Sequence, residues 1–521
     1  MKRRHFLQHA ASSLLLPVLI DGYGAKAFAK PSSFIRSMIS LASQTDRVLV
    51  IIQLQGGNDG LNTVIPLDQM SVYSSSSFRG NIAIPEGKAL KLKNYAGTGL
   101  HPAMSGMQQL FNDGRLSIIQ GVSYPTPNFS HFRASDIWMT AVDSNQTATS
   151  GWTGRYLNSR YPNFPEAYPS KAMPDPPAIQ IGYVTATTLL GPSNSMALVL
   201  QDPDTFARLV GERPNSPSGS ESGYAGQQLD YIRQQQASSV SYASQIKNAA
   251  GKGKNLATYP TGNSLSDQLK IVARLISGGL QTKVYYVTLG GFDTHASQVD
   301  ANDTTTGTHA KLLKTLSDAI LAFQTDLEKL NVEDRVVGIT FSEFGRRAMS
   351  NGSRGTDHGT SAPMFVFGTA IRTPMIGKNP NLSDLDNNNL KMQTDFRQVY
   401  AAILTDWFGT DNATETATLF RDFSVSPIFR SSSTAVDTSP QTVNLYPNPA
   451  SADVTLEADN ISKGLQTIAL TDVQGRLQLL NPTLVMPNSV HFDVSTLAAG
   501  SYVVQVATER GTLTKRLIIA R

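Results

Sequence analysis

The chain has 521 residues, of which 40% are hydrophobic and 16% charged, a composition typical of a globular protein long enough for one large domain and an accessory module. Three of its four net positive charges lie in residues 1–29, so the remainder has a formal charge near +1, which excludes a nucleic-acid-binding protein built on a basic stripe. Cysteine is absent, which excludes disulfides, thiolate metal sites and cysteine nucleophiles.

The first 29 residues have the pattern of an export signal. Lys2-Arg3-Arg4 precedes an apolar run over 10–20, and Ala27-Phe28-Ala29 has the small-residue pattern of a cleavage site. The apolar run is too short for a permanent transmembrane helix. The paired arginines, followed by Phe6-Leu7, resemble a twin-arginine signal. An ordinary Sec signal with incidental arginines is the alternative.

The main domain is predicted to span residues 46–430 and to open with a buried strand. Residues 47–54 form a largely apolar run of the kind found in parallel sheets. Asp59 follows within Gln55-Gly-Gly-Asn-Asp-Gly60, which puts a carboxylate at the carboxyl edge of the sheet, where α/β proteins bind ligands. The same Asn-Asp-Gly sequence is also well suited to a tight turn. Asp59 is therefore a candidate ligand with a structural alternative.

A helix is predicted to begin near Ser130. Within residues 128–138, either Asn128 or Ser130 is a candidate N-cap. The dipole of the helix favours an anion or an alkoxide at this end, so the hydroxyl of Ser130 is a candidate nucleophile. Plain capping is the structural alternative for Ser130. His131 and Arg133 either assist the nucleophile or belong to an ordinary solvated helix face.

Three further strands adjoin loops that contain acids or histidines. The strands and their loop residues are 283–289 with Asp293 and His295, 336–341 with Glu343, and 364–367 with Asp357 and His358. Strands that alternate with helices and end in functional loops are typical of a doubly wound sheet with its site at one edge. We therefore predict a three-layer α/β fold. Residues 211–264, polar and rich in Gly, Ser and Gln, are predicted to be an insertion or lid.

The C-terminal residues are predicted to form a separate module. Residues 431–443, rich in Ser and Thr, are typical of a linker, and the short alternating strands after them predict a small β-sandwich over 444–521. The motifs of this module are Leu445-Tyr-Pro-Asn-Pro449, Asp472-Val-Gln-Gly-Arg476, Leu497-Ala-Ala-Gly-Ser-Tyr502 and Lys515-Arg-Leu517. They resemble the type A C-terminal sorting domain of the type IX secretion system. The resemblance implies export through the periplasm to the cell surface or medium, with the secretion machinery as partner. A generic immunoglobulin-like adhesion module is the alternative.

Motifs spread over residues 46–410 resemble the family catalogued as domain of unknown function 1501. In order they are Gly56-Gly-Asn-Asp-Gly-Leu-Asn62, His101-Pro102, Ser130-His-Phe132, Gly151-Trp-Thr-Gly-Arg-Tyr156, Gly291-Phe-Asp-Thr-His295, Ser342-Glu-Phe-Gly-Arg346 and Thr356-Asp-His-Gly359. The family is similar to the alkaline phosphatase and sulfatase superfamily, whose members combine a strand-end Asp, a helix-start nucleophile and later Asp and His ligands. The resemblance implies an alkaline-phosphatase-like fold for the main domain.

The same resemblance implies roles for individual residues. Ser130 matches the position of the nucleophile. The implied metal ligands are Asp59, Asp293, His295, Asp357 and His358. The chain departs from the superfamily because no histidine follows Asp357-His358-Gly359 until His491. One divalent metal ion, or a reduced site that uses Glu343, is therefore expected in place of two metals, with Zn, Ca, Mg and Mn all open.

The expected activity is hydrolysis of a phosphate or sulfate ester of a small molecule or glycan. Ser130 would attack the ester, a divalent metal would polarise it, and Arg346 or Arg133 would bind a non-bridging oxygen. Glu343 is a further catalytic candidate, and an internal salt bridge with Arg346 is its structural alternative. A non-catalytic secreted binding protein that kept the fold and lost the site is the alternative function.

Overall fold

The computed structural model describes both the main domain and the C-terminal module. The described residues are 46–170, 173–211, 240–430, 444–457, 465–472, 477–480, 482–486, 489–508 and 511–521. The predicted signal peptide (1–29), the predicted linker (431–443) and residues 212–239 of the predicted insertion lie outside these ranges. Among the described residues, we find no helix with both the length and the apolar content that a membrane crossing requires.

Helices and strands alternate along the main domain. The helices are α1 (Gly60–Thr63), α2 (Met70–Tyr73), α3 (Ser105–Asn112), α4 (His131–Thr140), α5 (Trp152–Arg160), α6 (Pro203–Gly211), α7 (Ser264–Ser277), α8 (Thr308–Lys329), α9 (Phe396–Ala402) and α10 (Asn412–Leu419). The strands are β1 (Val48–Leu54), β2 (Val64–Pro66), β3 (Leu90–Leu92), β4 (Tyr95–Leu100), β5 (Leu116–Ser123), β6 (Ala178–Ile181), β7 (Ala197–Leu200), β8 (Val284–Leu289), β9 (Val336–Phe341), β10 (Ala362–Phe367), β11 (Met375–Ile376) and β12 (Thr394–Asp395).

The central sheet has nine strands in the order β11, β5, β10, β9, β1, β8, β6, β7, with β12 also pairing with β5. All residues of β1, β5 and β9 are buried, so both faces of the sheet are covered. Helices α3, α7 and α8 pack together in one group, and α5, α9 and α10 in another. This arrangement confirms the predicted layered α/β fold.

Strand direction brings distant loops to one edge of this sheet. Strands β1, β8 and β9 are parallel, and β10 runs antiparallel to both β9 and β5. The carboxyl ends of β1, β5, β8 and β9 therefore lie at the same edge as the amino end of β10. The loops at this edge contain Ser130, Asp293, Glu343 and His358. A single edge thus collects side chains from most of the length of the domain.

Two of the helices have the apolar spacing of amphipathic helices. The spacing over residues 309–330 predicts a helix there, and the helix is observed as Thr308–Lys329. The spacing over residues 269–276 also predicts a helix, which begins earlier, at Ser264, where the side chain of Asn263 accepts a hydrogen bond from the backbone N–H of Ser266 at 2.9 Å. Apolar periodicity therefore locates both helices, and a side-chain cap marks the start of the second.

The C-terminal module consists of two antiparallel four-stranded sheets. Its strands are β13 (Asn444–Tyr446), β14 (Asp453–Glu457), β15 (Leu465–Asp472), β16 (Leu477–Leu480), β17 (Leu484–Met486), β18 (Ser489–Asp493), β19 (Gly500–Thr508) and β20 (Gly511–Ile519). One sheet has the order β13, β14, β18, β17 and the other β16, β15, β19, β20. Side chains from both sheets, including Val454, Phe492, Val504 and Leu517, form one buried cluster. The module is therefore a small β-sandwich, as predicted.

Candidate functional site

Asp293 lies at the centre of the cluster of polar side chains at this sheet edge. Its Oδ1 is 3.1 Å from Nε2 of His295 and 3.3 Å from Nε2 of His358. Its Oδ2 is 3.5 Å from Nε2 of His131. The two rings of His295 and His358 also meet directly, with 2.9 Å between their Nε2 atoms. Three imidazoles therefore present the same type of atom to one carboxylate.

The far nitrogen of each ring faces an oxygen. Nδ1 of His131 is 2.8 Å from Oε1 of Glu343, and Nδ1 of His358 is 2.8 Å from the carbonyl oxygen of Phe129. A carbonyl oxygen only accepts hydrogen bonds, so Nδ1 of His358 must carry the proton. The same holds for His131 beside a carboxylate. In their neutral forms, both rings therefore keep a lone pair on Nε2, the atom that lies near Asp293.

This arrangement fits a bound cation. Two lone pairs and a carboxylate oxygen repel one another unless a positive charge lies among them, and a metal ion supplies one. One ligand atom from each of His131, Asp293 and His358 lies within 4.8 Å of the other two. Metal-binding histidines typically donate their other N–H to a carboxylate or a backbone carbonyl, as His131 and His358 do here.

His131 enters this group although the sequence identifies it only as a helper on the first turn of α4. A histidine in a first turn resembles an exposed helix residue, and its partner Glu343 lies more than 200 positions away along the chain. The Ser130-His131-Phe132 motif is the signal that indicates it, because a histidine directly after a candidate nucleophile lies at the same sheet edge as Asp293.

Glu343 holds the ring of His131 by a hydrogen bond to Nδ1. It is buried, and its Oε1 accepts hydrogen bonds from the backbone N–H of Gly56 and from Nδ1 of His131, both at 2.8 Å. Its other oxygen, Oε2, is buried and has no hydrogen-bond partner in the part of the chain that the structure describes. Glu343 therefore contacts the cluster through the ring of His131.

Gly56 allows the turn after β1 to lie directly against the loop that holds Asp293. Its φ of +122° is a conformation that residues with a side chain rarely adopt, and a Cβ there would lie 2.3 Å from the backbone nitrogen of Asp293. Any larger residue would push the turn after β1 away from the loop that holds Asp293. The glycine in the turn after β1 is thus a geometric requirement of the site.

Arg346 fixes Asp293 in place. Its guanidinium donates to Oδ1 of Asp293 at 2.5 Å and to the carbonyl oxygens of Gly56, Gly57, Phe292 and Thr356. The side chain is fully buried. These contacts support Asp293 and the surrounding backbone. The predicted contact of Arg346 with a substrate oxygen stays a prediction.

Asp357 and Asp59 are predicted ligands whose recorded contacts in the described part of the chain are with other groups, not with Asp293 or His358. Asp357 accepts a hydrogen bond from Asn351 at 3.1 Å and lies 3.6 Å from Nδ1 of His295. Asp59 is buried in an ion pair with Arg79, whose two terminal nitrogens lie 2.8 Å from its two oxygens, and it also accepts from Gln298 at 2.6 Å. Of the five predicted ligands, Asp293, His295 and His358 come together, Asp357 faces the back of His295, and Asp59 occupies a separate buried pair.

Ser130 is the N-cap of α4 and directly precedes His131. Its side chain is exposed and makes no capping hydrogen bond, while its backbone N–H donates to Oδ1 of Asn128 at 2.9 Å. A serine that caps in the usual way uses its hydroxyl to accept from the helix. The Ser130 hydroxyl is therefore not used for capping, and it belongs to the residue that directly precedes His131.

The surroundings of the cluster favour a neutral His358 ring and an ionised Asp293 carboxylate. Burial lowers the pKa of His358 below its usual value. For Asp293, burial raises the pKa, but the Arg346 guanidinium outweighs this effect and holds the pKa below its usual value. At neutral pH the site therefore offers an ionised carboxylate and at least one neutral imidazole, which are the protonation states that bind metal ions.

Two aromatic side chains flank the cluster at the surface. Phe129, whose carbonyl oxygen accepts from His358, and Phe132, which follows His131, are 44% and 90% exposed. Each of these two rings belongs to a residue that neighbours or contacts a histidine of the cluster.

Comparisons with known proteins identify both parts of the chain. A family model described as protein of unknown function (DUF1501) matches residues 46–421, and a secretion system C-terminal sorting domain matches residues 444–520. No curated protein sequence matches the chain. Both matches confirm the resemblances found in the sequence motifs.

Solved structures similar to this chain include a protein of the alkaline phosphatase superfamily, a sulfatase and an alkaline phosphatase. A protein of the alkaline phosphatase superfamily from Vibrio parahaemolyticus is 10% identical over 85% of this chain and 81% of that chain, with a TM-score of 0.34. The PsFucS1 sulfatase from Pseudoalteromonas sp. is 12% identical over 94% and 91%, with a TM-score of 0.34. Alkaline phosphatase from the Antarctic bacterium TAB5 is 11% identical over 62% and 92%, with a TM-score of 0.24. On the family match, which spans most of its length, this chain belongs to the DUF1501 family and carries a secretion-system sorting domain.

Proposed function

We propose that the protein is a secreted, metal-dependent hydrolase of phosphate or sulfate esters. The observation that carries the proposal is the convergence of His131, Asp293 and His358, together with the position of Ser130 directly before His131 at the start of α4, where its hydroxyl makes no capping hydrogen bond. A nucleophile at the start of a helix and a cation site next to it are the two parts that displacement at an anionic ester requires. The sorting domain supports secretion or a cell-surface location.

In the proposed reaction, the Ser130 oxygen forms a bond to phosphorus or sulfur while the bond to the leaving alcohol breaks. The phosphoryl or sulfuryl group is thereby transferred to the serine, and the proton lost by the Ser130 hydroxyl passes through water to the leaving alcohol. A water molecule then hydrolyses the serine ester, which releases phosphate or sulfate and restores the hydroxyl. A divalent metal at the cluster, when bound, would polarise the ester and lower the pKa of the hydroxyl.

The protein residues around the cluster would prepare this step. Glu343 holds the His131 ring, and Arg346 holds the Asp293 carboxylate, so neither side chain has to reorient when a ligand binds. Fixed polar groups lower the cost of reorganisation during the reaction. The N-terminus of α4 adds a partial positive charge next to Ser130, which favours an anionic group there.

The exposed rings of Phe129 and Phe132 would contact the alcohol part of the substrate. A flat apolar ring offers a surface for the face of a sugar or an aromatic group. This supports a substrate whose ester is attached to a ring, such as a glycan or an aryl alcohol.

Metal content and turnover together test the proposal. Protein purified without tags or chelators would be measured for bound metal, and its hydrolysis of nitrophenyl phosphate, a phosphodiester and nitrophenyl sulfate would be followed. We expect turnover of at least one ester, loss of turnover after chelation, and its return when metal is restored. Activity that survives chelation would contradict the proposal.

A non-catalytic binding protein is the second candidate, and one observation favours it. Asp59, which the family resemblance implies as a metal ligand, is held by Arg79 in a buried ion pair. A chain that has converted a ligand into a structural pair has one of the features expected of a degenerate site. Metal binding without turnover of any ester would support this candidate.

A further inference from the structure

The cluster at the sheet edge is rich in nitrogen donors. The group formed by His131, Asp293 and His358 contributes two imidazole nitrogens and one carboxylate, and a third imidazole, His295, lies next to it. Ions differ in what they accept: Ca²⁺ takes about 6–8 oxygen ligands, and Mg²⁺ takes oxygen and water in an octahedron. Imidazole suits Zn²⁺ and neighbouring transition metals.

The neighbouring carboxylates each contact other groups through at least one oxygen, and they do not belong to the group of converging ligand atoms. Both oxygens of Asp59 lie 2.8 Å from Arg79 nitrogens. Oε1 of Glu343 accepts from Gly56 and His131, and the carboxylate of Asp357 faces Asn351 and the far side of His295. Asp293 is thus the carboxylate that the described part of the chain offers to an ion held by His131 and His358.

The rings are also held in the orientation that a nitrogen-preferring ion requires. Glu343 and the carbonyl of Phe129 fix the protons of His131 and His358 on Nδ1. Nε2 of each ring consequently carries a lone pair before any ion arrives, and both atoms face Asp293, although Nε2 of His358 also lies 2.9 Å from Nε2 of His295. An oxygen-preferring ion gains nothing from this preparation, because it would have to accept two imidazoles in place of carboxylates or water.

We propose that this site takes Zn²⁺, or a transition metal of the same borderline class, in preference to Ca²⁺ and Mg²⁺. The ligands are Nε2 of His131, Nε2 of His358 and the carboxylate of Asp293. Three protein ligands leave one position of a tetrahedral ion open, which is the arrangement of catalytic zinc sites. The inference concerns the site used by the proposed function, but it is tested by metal binding, without any assay of turnover.

The test uses metal-free full-length protein titrated separately with Zn²⁺, Co²⁺, Ca²⁺ and Mg²⁺. Calorimetry and elemental analysis give affinity and stoichiometry, and the visible spectrum of the Co²⁺ form reports nitrogen ligation and low coordination number. We expect one Zn²⁺ per chain, an intense visible Co²⁺ spectrum, and no displacement of Zn²⁺ by a hundredfold excess of Ca²⁺ or Mg²⁺.

Matched histidine variants locate the ion. His131→Gln and His358→Gln should each weaken Zn²⁺ binding by more than the roughly 10–100-fold that loss of an outer-shell partner costs. His491→Gln, in the C-terminal module, should leave it unchanged. Near-ultraviolet circular dichroism would show that each variant is folded, and Asp293→Asn offers a second route if a histidine variant is not.

Three results would overturn the inference: no Zn²⁺ bound by folded wild-type protein, displacement of Zn²⁺ by equal Ca²⁺ or Mg²⁺, or unchanged Zn²⁺ affinity in both histidine variants. Zinc bound as expected in a protein that hydrolyses no ester would instead remove the proposed function and leave the metal assignment standing.

Discussion

Substitution of Glu343 examines how the cluster is held together. Oε1 of Glu343 lies 2.8 Å from both the Gly56 backbone nitrogen and Nδ1 of His131. In Glu343→Gln, an amide oxygen can still accept both hydrogen bonds, but the negative charge that strengthens His131 as a donor is lost. In Glu343→Ala, both hydrogen bonds are lost as well, and the ring of His131 becomes free to rotate.

The magnitude follows from the role of an outer-shell carboxylate. Losing such a partner weakens metal binding by about 10–100-fold, which corresponds to roughly 1.4–2.7 kcal/mol. We expect Glu343→Gln near the lower end of this range and Glu343→Ala near the upper end. Competition of each folded variant with a chelator of known Zn²⁺ affinity would measure the change.

Glu328→Gln is the matched control, because Glu328 forms an exposed ion pair with Arg115 on a different part of the domain. This control should bind Zn²⁺ as the wild type does. Equal Zn²⁺ affinity in the wild type, Glu343→Gln and Glu343→Ala would refute the reasoning, since it would mean that the contact with His131 contributes nothing to the metal site.

Four further substitutions probe the nucleophile, the buried ion pair, the buried histidine and the aromatic surface. Ser130→Ala should lower turnover of an ester by on the order of 10³-fold or more while metal content stays at the wild-type value, and retained turnover would exclude Ser130 as nucleophile. Asp59→Asn should destabilise the protein by about 3–5 kcal/mol in chemical denaturation because it leaves the buried Arg79 charge unpaired, yet the folded variant should keep its metal; loss of metal would restore Asp59 as a ligand. Burial lowers the pKa of His309 to about 4, so the unfolded chain binds a proton below pH 6.5 that the folded protein refuses, and stability falls as the pH drops from 6.5 towards 4. Between pH 6.5 and 5 this effect lowers the free energy of unfolding by roughly 2 kcal/mol, so a folded His309→Gln variant should lose correspondingly less stability in urea denaturation over the same pH range. An unchanged pH dependence of stability would contradict the lowered pKa of His309. Phe132→Ser should raise KM for a ring-bearing ester at least several-fold and leave kcat and the KM of a small alkyl ester unchanged, whereas equal effects on both esters would count against a ring contact.

The sequence predicts the sheet edge well because that information is local. The apolar run of β1 and the acids and histidines placed after β8 and β9 indicate both the strands and the side of the sheet on which the site lies. Asp293, His295 and His358 meet as such a pattern suggests. Sequence order is therefore enough to predict that a residue lies at this sheet edge when it directly follows a strand that ends there.

Pairings across the fold are not visible in the same way. The partner of Asp59 is Arg79, twenty positions onward and outside any of the motifs, so no sequence pattern predicts this ion pair. The sequence leaves two roles open for His131, a helper of the nucleophile or a solvated helix residue, because the carboxylate that orients it, Glu343, follows a strand on the other side of the insertion. Which side chain neutralises a buried charge depends on tertiary packing, and no local pattern records it.

Metal dependence of turnover decides between a hydrolase and a binding protein. Zinc-loaded and metal-free wild-type protein would be compared with zinc-treated His358→Gln on nitrophenyl phosphate, a phosphodiester and nitrophenyl sulfate, with bound metal quantified in each sample. We predict one metal per wild-type chain and turnover of at least one ester that disappears in both the metal-free protein and the variant. A fully loaded wild-type protein that hydrolyses none of the esters, or equal turnover with and without metal, would contradict this function.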